Sequence, residues 1–378
     1  MEKNRRIEVV DALRGMAIFS ILLLHCSNHF LYGVMPTSTT HWGQVCDQIV
    51  KQFLYFLFEG KMYGVFAVLF GFTFGLQYYK AVSCHVDFRW TFLWRILLLS
   101  LFGVLNAAFF SGGDPLVFMA IVAVFLPFIA KLNTRTLLCI ALFFLLQPFE
   151  LFQGINHYIG LGYTFPKNTG KLYETLGMAV ENSSFMSMAK VNMTLGLKAC
   201  LTWAVEYGRA AQTASLYIVG FLFCRYSLFE NLKSRFWNRL FLFSLVSVAI
   251  LFCVKGATSL YDSIATALGM WYNYAFILLW ISTFVILYRG KWFRQLTGLF
   301  QIYGRMSLTN FVSQSMIGTF LFYPYGLNLA SQCGLSCSVV LGACIALVQM
   351  FVSYWVLRRF KQGPLEYVWH RATYFLSS

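Results

Sequence analysis

Charge is what this chain has least of. Only 11% of its 378 residues are Asp, Glu, Lys or Arg, against roughly 25% in an ordinary soluble domain, and that shortage excludes a water-soluble fold. Several chemical signatures are missing as well. There is no P-loop, no G-x-G-x-x-G, no H-E-x-x-H and no G-x-S-x-G, so nothing points to nucleotide, dinucleotide, zinc-peptidase or serine-hydrolase chemistry. The ten cysteines show no C-x-x-C pairing and fall mostly in apolar stretches, where they read as small buried hydrophobes. Cys333 and Cys337 lie near the expected outer face, but helical i, i+4 spacing places such a pair poorly for a disulfide.

Apolar residues are abundant. The chain is 59% hydrophobic and contains 40 Phe. One bilayer crossing takes roughly 20 apolar residues, so the length allows at most about a dozen crossings with short loops and leaves no room for a separate soluble domain. Stretches long enough to cross fall at about 9–32, 52–79, 91–110, 115–130, 136–153, 210–227, 239–254, 264–288, 303–324 and 334–357. The expected architecture is all-α, a polytopic integral membrane bundle of about ten transmembrane helices forming a single domain over 1–378. The polar stretch 154–208 is expected to be a long extracytoplasmic connection with interfacial helices. Lys3, Arg5 and Arg6 ahead of an apolar run look like a signal peptide, but Asp11 and Arg14 interrupt the run and no small-x-small cleavage site follows. The run is read as a retained first helix.

The formal charge of +15 follows from topology. With the N-terminus in the cytoplasm, 21 of the 29 basic residues fall in inside segments, as cytoplasmic loops are expected to hold them. Both termini are then cytoplasmic, and nucleic acid loses its only support as a partner. The lipid bilayer is the first partner.

Ionisable groups placed within hydrocarbon are functional candidates by default. The first helix carries Asp11, Arg14, His25 and His29 in the run DALRGMAIFSILLLHCSNHF. Arg14 and His25 are eleven residues apart, three helical turns plus about 20°, so both face one side about 16 Å from each other. Such a span suits an extended ligand, its anionic end gripped by Arg and its reactive end at an imidazole that titrates near neutral pH. Acyl-coenzyme A has that form. The plainer alternative pairs Arg14 with Asp11 at the interface and hydrogen-bonds His25 to a neighbouring helix. His25 and His29 stand at i and i+4, but no companion carboxylate motif appears, and no metal is expected.

Arg, ten intervening residues and His, within D-x-L-R-G, resembles the signature of the membrane acyltransferase-three family. The chain as a whole is similar to the YeiB-like family of bacterial membrane proteins, a domain of unknown function. The resemblance rests on EGKMYGVFAVLFGFTFGL at 59–76, GDPLVFMA at 113–120, GRMSLTNFVSQS at 304–315 and GPLEYVWHRATY at 363–374. Together the two resemblances imply a transmembrane acyltransferase fold in the bacterial inner membrane. Arg14 would hold the coenzyme A phosphates of acetyl- or acyl-coenzyme A, and His25 would be the general base on a glycan or lipid-linked acceptor.

Other residues join this expectation. Glu59 and Asp114 lie near the depth of His25, and a carboxylate there can orient an imidazole as in catalytic triads; the alternatives are a Glu59–Lys61 pair and a helix cap at Asp114. Lys61 and His29 are assigned to the acceptor. Ser307, Asn310 and Gln314 form a polar stripe on the ninth helix, either lining the donor site or gluing helices together. Arg305 starts that helix on the cytoplasmic side, ready for phosphate. The rival reading is a transporter or flippase in which the same charges bind a translocated substrate, although no internal repeat or matched pair of broken helices supports it.

Overall fold

A computed structural model describes residues 7–28, 30, 38, 40–109, 112–160, 167–180, 184–257 and 262–374. Among them the regular structure is helical, with no strand. The first two long helices of the bundle, α1 (Glu8–Ser27) and α3 (Met62–Ser83), flank α2 (His41–Leu57), followed by α4 (Phe88–Ala107), α5 (Pro115–Ala123) and the single turn α6 (Leu126–Ile129). After α7 (Thr134–Leu145) and α8 (Pro148–Tyr158), the expected outer connection folds into α9 (Thr169–Val180), α10 (Phe185–Val191) and α11 (Leu197–Glu206). The second half comprises α12 (Arg209–Arg225), α13 (Arg235–Ala257), α14 (Asp262–Tyr288), the short α15 (Lys291–Leu296), α16 (Gly298–Arg305), α17 (Ser307–Phe322), α18 (Leu335–Arg359) and α19 (Pro364–Tyr374).

Among the described residues each of the ten apolar stretches is largely helical. Six segments are long and apolar enough to cross a bilayer, and a seventh is formed if α7 and α8, bent by 46°, act as one. The chain is a multi-pass membrane protein on that basis. The exposed faces agree: α13 turns Phe243, Val246 and Ile250 outward and α18 turns Leu347, Val348 and Phe351 outward, as helices that meet lipid do.

The expected second helix, 52–79, is corrected. A break at Phe58–Lys61 divides it, with Gly60 in the left-handed region at φ 71°, and the apolar run on either side conceals the joint. The upstream piece, α2, is amphipathic; it buries Leu54 and exposes Trp42, Ile49, Phe53 and Phe56.

Two glycine crossings hold the long helices at backbone distance, the way small residues let membrane helices approach. A Cβ on Gly15 of α1 would stand 1.9 Å from the Phe300 carbonyl oxygen of α16, and one on Gly304 would stand 2.0 Å from that of Asp11. Gly71 of α3 and Gly220 of α12 meet the Tyr217 and Val68 carbonyls in the same way. The helix ends are tied off by side chains. Asp87, Asn133 and Asp114 accept from the first-turn amides of α4, α7 and α5, and Arg225 donates to the carbonyls of Ala130 and Leu132. Part of the basic endowment therefore finishes helices.

Candidate functional site

One face of α1 lines a cavity of about 760 Å³ inside the bundle. Arg14, Ile18, Ile21, His25 and Asn28 recur on it at helical spacing, and matching stripes come from α3 (Tyr63, Phe66, Phe70, Thr73, Gln77) and α4 (Phe92, Arg95, Ile96, Leu99). The start of α17 adds Ser307, Leu308 and Phe311. Arg14 and His25 share this single space, and the helical rise between them is about 16 Å.

The ends differ in chemistry. At the Arg14 end stand three guanidinium groups, Arg14, Arg95 and Arg305, with Thr73, Gln77 and Glu366. Arg14 donates to Asp11 at 3.1 Å and to the Thr73 hydroxyl at 3.1 Å, so the pairing with Asp11 exists while the side chain also faces the cavity. Arg95 lies 4.4 Å over the ring of Trp369, whose indole N–H donates to the Arg95 carbonyl at 3.2 Å. Glu366 of α19 accepts from the Leu308 and Thr309 amides at 2.7 and 3.0 Å and so caps α17. The two sequence segments 304–315 and 363–374 meet at this mouth.

At the other end stand His25, Glu59, Tyr63, Tyr173, Trp203 and Arg209. The His25 imidazole is 6% exposed and is met edge-on by Phe30 and Phe311. Arg209 donates to Gln212 at 3.1 Å and lies over the Trp203 ring. The 154–208 connection roofs this end, because Tyr173 of α9, Cys200 and Trp203 of α11 and Tyr207 just after it all line the cavity. Glu206 fixes the roof by accepting from Asn168 and Thr169.

The structure thus brings Arg14, His25, Glu59 and Arg305 together around one space and places the other candidates elsewhere. Asp114 is fully buried behind it, accepting from the Leu116 amide as the cap of α5 and from the Asn106 amide, which also donates to Ser315. Lys61 donates to the Tyr55 carbonyl at 3.0 Å and lies over Phe276; it is not ion-paired with Glu59, since the pairs among the described residues are Arg14–Asp11, Arg89–Asp87 and Lys167–Asp262. Asn310 joins α17 to α16 and α18 through the Tyr303 carbonyl and Ser353, and Gln314 is buried in the same packing, so the stripe glues helices. His29 lies outside the described residues. No group of three or more His, Cys, Asp or Glu among the described residues is arranged to hold a metal, and Cys333 and Cys337 are free thiols. Arg95 and Arg209 are the functional candidates that sequence reasoning passed over; both were counted as loop charge, and only contacts between distant segments reveal them.

Residues 223–376 match the family described as a protein of unknown function, DUF418. The chain is 28% identical over 403 positions to the uncharacterized protein YeiB of Escherichia coli K12, covering 99% of this chain and 97% of that one. Over nearly its whole length the chain is thus similar to YeiB. It is also 26% identical over 401 positions to the uncharacterized protein YxaH of Bacillus subtilis, covering 98% and 95% of the two chains. A 39.9 kDa protein encoded beside an amylase gene in Bacillus acidopullulyticus shares 24% over 380 positions. No solved structure matches.

Proposed function

We propose that this protein is an acyltransferase of the bacterial inner membrane that carries an acyl group, acetyl in the simplest case, from cytoplasmic acyl-coenzyme A to a hydroxyl or amine of a glycan or lipid-linked acceptor at the outer face. The observation that carries the reading is the one cavity with three arginines at one end and a histidine at the other. In this reading the chain crosses ten times with both termini in the cytoplasm. The shorter pieces, α5–α6, α7–α8, α12 and α16–α17, complete the count, and the basic residues at the Arg14 end set the orientation.

The chemistry follows from the two ends. A coenzyme A donor presents several phosphates, and planar guanidinium forks suit them. The apolar middle, Ile18, Ile21, Phe70 and Leu99, excludes water from the thioester. His25 takes the proton from the acceptor hydroxyl as its oxygen attacks the thioester carbonyl. The carbon–sulfur bond then breaks, and the departing thiolate recovers the proton from the imidazolium, leaving ester and free thiol. Glu59 at the same end favours the charged imidazolium, and the aromatic rings and Arg209 present a surface for a sugar or an anionic head group.

The test incubates protein in nanodiscs with labelled acetyl-coenzyme A. Binding is expected in wild type and in His25→Ala, with transfer lost only in the variant, and weaker binding in Arg14→Ala. Absence of donor binding in every form defeats the proposal; translocation of an unmodified substrate would favour a transporter.

A further inference from the structure

A second concavity lies on the flank of the bundle, separate from the central cavity. The groove, of about 640 Å³, runs between α5–α6, the α7–α8 bend and the start of α12, and its volume is within the range of small-molecule sites. Its rim is apolar and turned outward: Val124, Phe128, Phe149 and Val205 are 42%, 61%, 41% and 56% exposed, and on a bundle flank these faces meet hydrocarbon. One lining residue does not belong in such a place. Glu150 is 4% exposed, and its Oε2 is buried with no hydrogen-bond donor.

The local fold accounts for the carboxylate's position but not for that orphaned oxygen. Gln147 sits in the left-handed region at φ 55°, ends α7 and lets Pro148 start α8 afresh, so Glu150 falls in a first helical turn, where negative charge is favoured. Lys167, a cation whose charge reaches it, is held by Asp262 at 2.6 Å and by Thr266. An ionisable group facing hydrocarbon is costly and marks a binding function. In the orientation proposed above, about 18 Å of α7 separates Glu150 from the cytoplasmic end, which puts it in the outer leaflet.

We infer that this groove is a lipid site that seats one acyl chain of an outer-leaflet phospholipid along Val124, Phe128 and Ala211 and holds its primary ammonium head group on Glu150. The occupant comes from the bilayer because the exposed rim residues Val124, Phe128 and Phe149 are apolar and lie on the flank that a membrane-crossing bundle turns to lipid. The head group is a primary ammonium because that group supplies N–H donors to the orphaned oxygen, whereas a choline head group supplies none. Only the leaflet assignment rests on the proposed orientation, and acyl transfer plays no part in the test.

Protein is reconstituted in nanodiscs of equimolar phosphatidylethanolamine and phosphatidylcholine, extracted, and its retained lipid counted by native mass spectrometry. Wild type is expected to retain phosphatidylethanolamine with a preference of roughly tenfold, the scale of one charge-assisted hydrogen bond. Glu150→Gln, which keeps the shape, is expected to abolish the preference. Ala211→Phe, which fills the groove and leaves the carboxylate in place, is expected to lose both lipids. No preference in wild type, a preference that survives Glu150→Gln, or full retention in Ala211→Phe overturns the inference.

Discussion

Replacing Gly15 by alanine should act on stability and on the donor mouth together. The added Cβ would lie 1.9 Å from the Phe300 carbonyl oxygen and 2.9 Å from the Gly304 amide nitrogen. Ordinary van der Waals contact begins at 3.4 Å, so α1 and α16 must separate by about 1.5 Å. Gaps of even 0.5–1 Å forfeit a quarter to a half of each dispersion contact along an interface, and forced overpacking costs about 1–3 kcal/mol. Thermal midpoints followed in detergent at one fixed scan rate, as irreversible unfolding requires, should fall by roughly 2–6 °C. Gly269→Ala in α14 is the control. Nothing lies within 4 Å of that Cβ, so the same chemical change should stabilise by about 0.4–1 kcal/mol through the unfolded chain alone. Because Gly15 adjoins Arg14, the first variant should also weaken donor binding while Gly269→Ala leaves it unchanged. If both variants shift the midpoint in the same direction, the backbone contact is not what holds α1 to α16.

Other outcomes follow from the same geometry. His25→Ala should lower transfer by about 10²- to 10⁴-fold, the usual contribution of a general base, measured in single turnover with donor already bound. Arg209→Ala should reduce transfer to acceptor and leave binding of labelled acetyl-coenzyme A unchanged, since Arg209 lines the end opposite the three arginines. Glu366→Ala should cost about 0.5–2 kcal/mol through loss of the α17 cap, and hydrogen exchange should speed up at Leu308 and Thr309 first. In the roof, burial pushes the Glu206 carboxyl up, but hydrogen bonds from Asn168 and Thr169 outweigh it and hold the group below its usual value. A carboxyl lowered by folding stabilises at neutral pH and loses that contribution as pH falls through its folded value. Protection of 168–176 against exchange, corrected for the intrinsic rate at each pH, should therefore fall on acidification in wild type and be low at all pH values in Glu206→Ala.

Much of this was legible in the chain, and the rest fails for identifiable reasons. Apolar run length located the six segments long and apolar enough to cross a bilayer, because hydrocarbon imposes that length residue by residue. Helical period placed Arg14 and His25 on one face of α1, and both line the cavity. The break at Phe58–Lys61 was hidden because the run stays apolar on both sides of Glu59, Gly60 and Lys61, and the positive φ of Gly60 is a local signal that hydropathy ignores. Depth misled at Asp114: the carboxylate lies beside the cavity wall, but the amide of Leu116 claims it as a cap. Asn310 lies on a polar stripe whose partners, Tyr303 and Ser353, come from two other helices, so no reading of α17 alone could decide between lining and glue. Arg95 and Arg209 are similar; each looks like loop charge until segments far apart in the chain close around it.

The capping of α17 by Glu366 has a consequence for assembly. Glu366 and Trp369 form one wall of the Arg14 mouth, yet they lie on α19, beyond α18 in the chain. During synthesis all the long helices emerge before that wall does. A nascent chain halted short of Gly363 would already hold Arg14, Arg95 and Arg305, with the rim of the doorway at the Arg14 end unfinished and α17 uncapped, so the doorway is completed only after the room behind it.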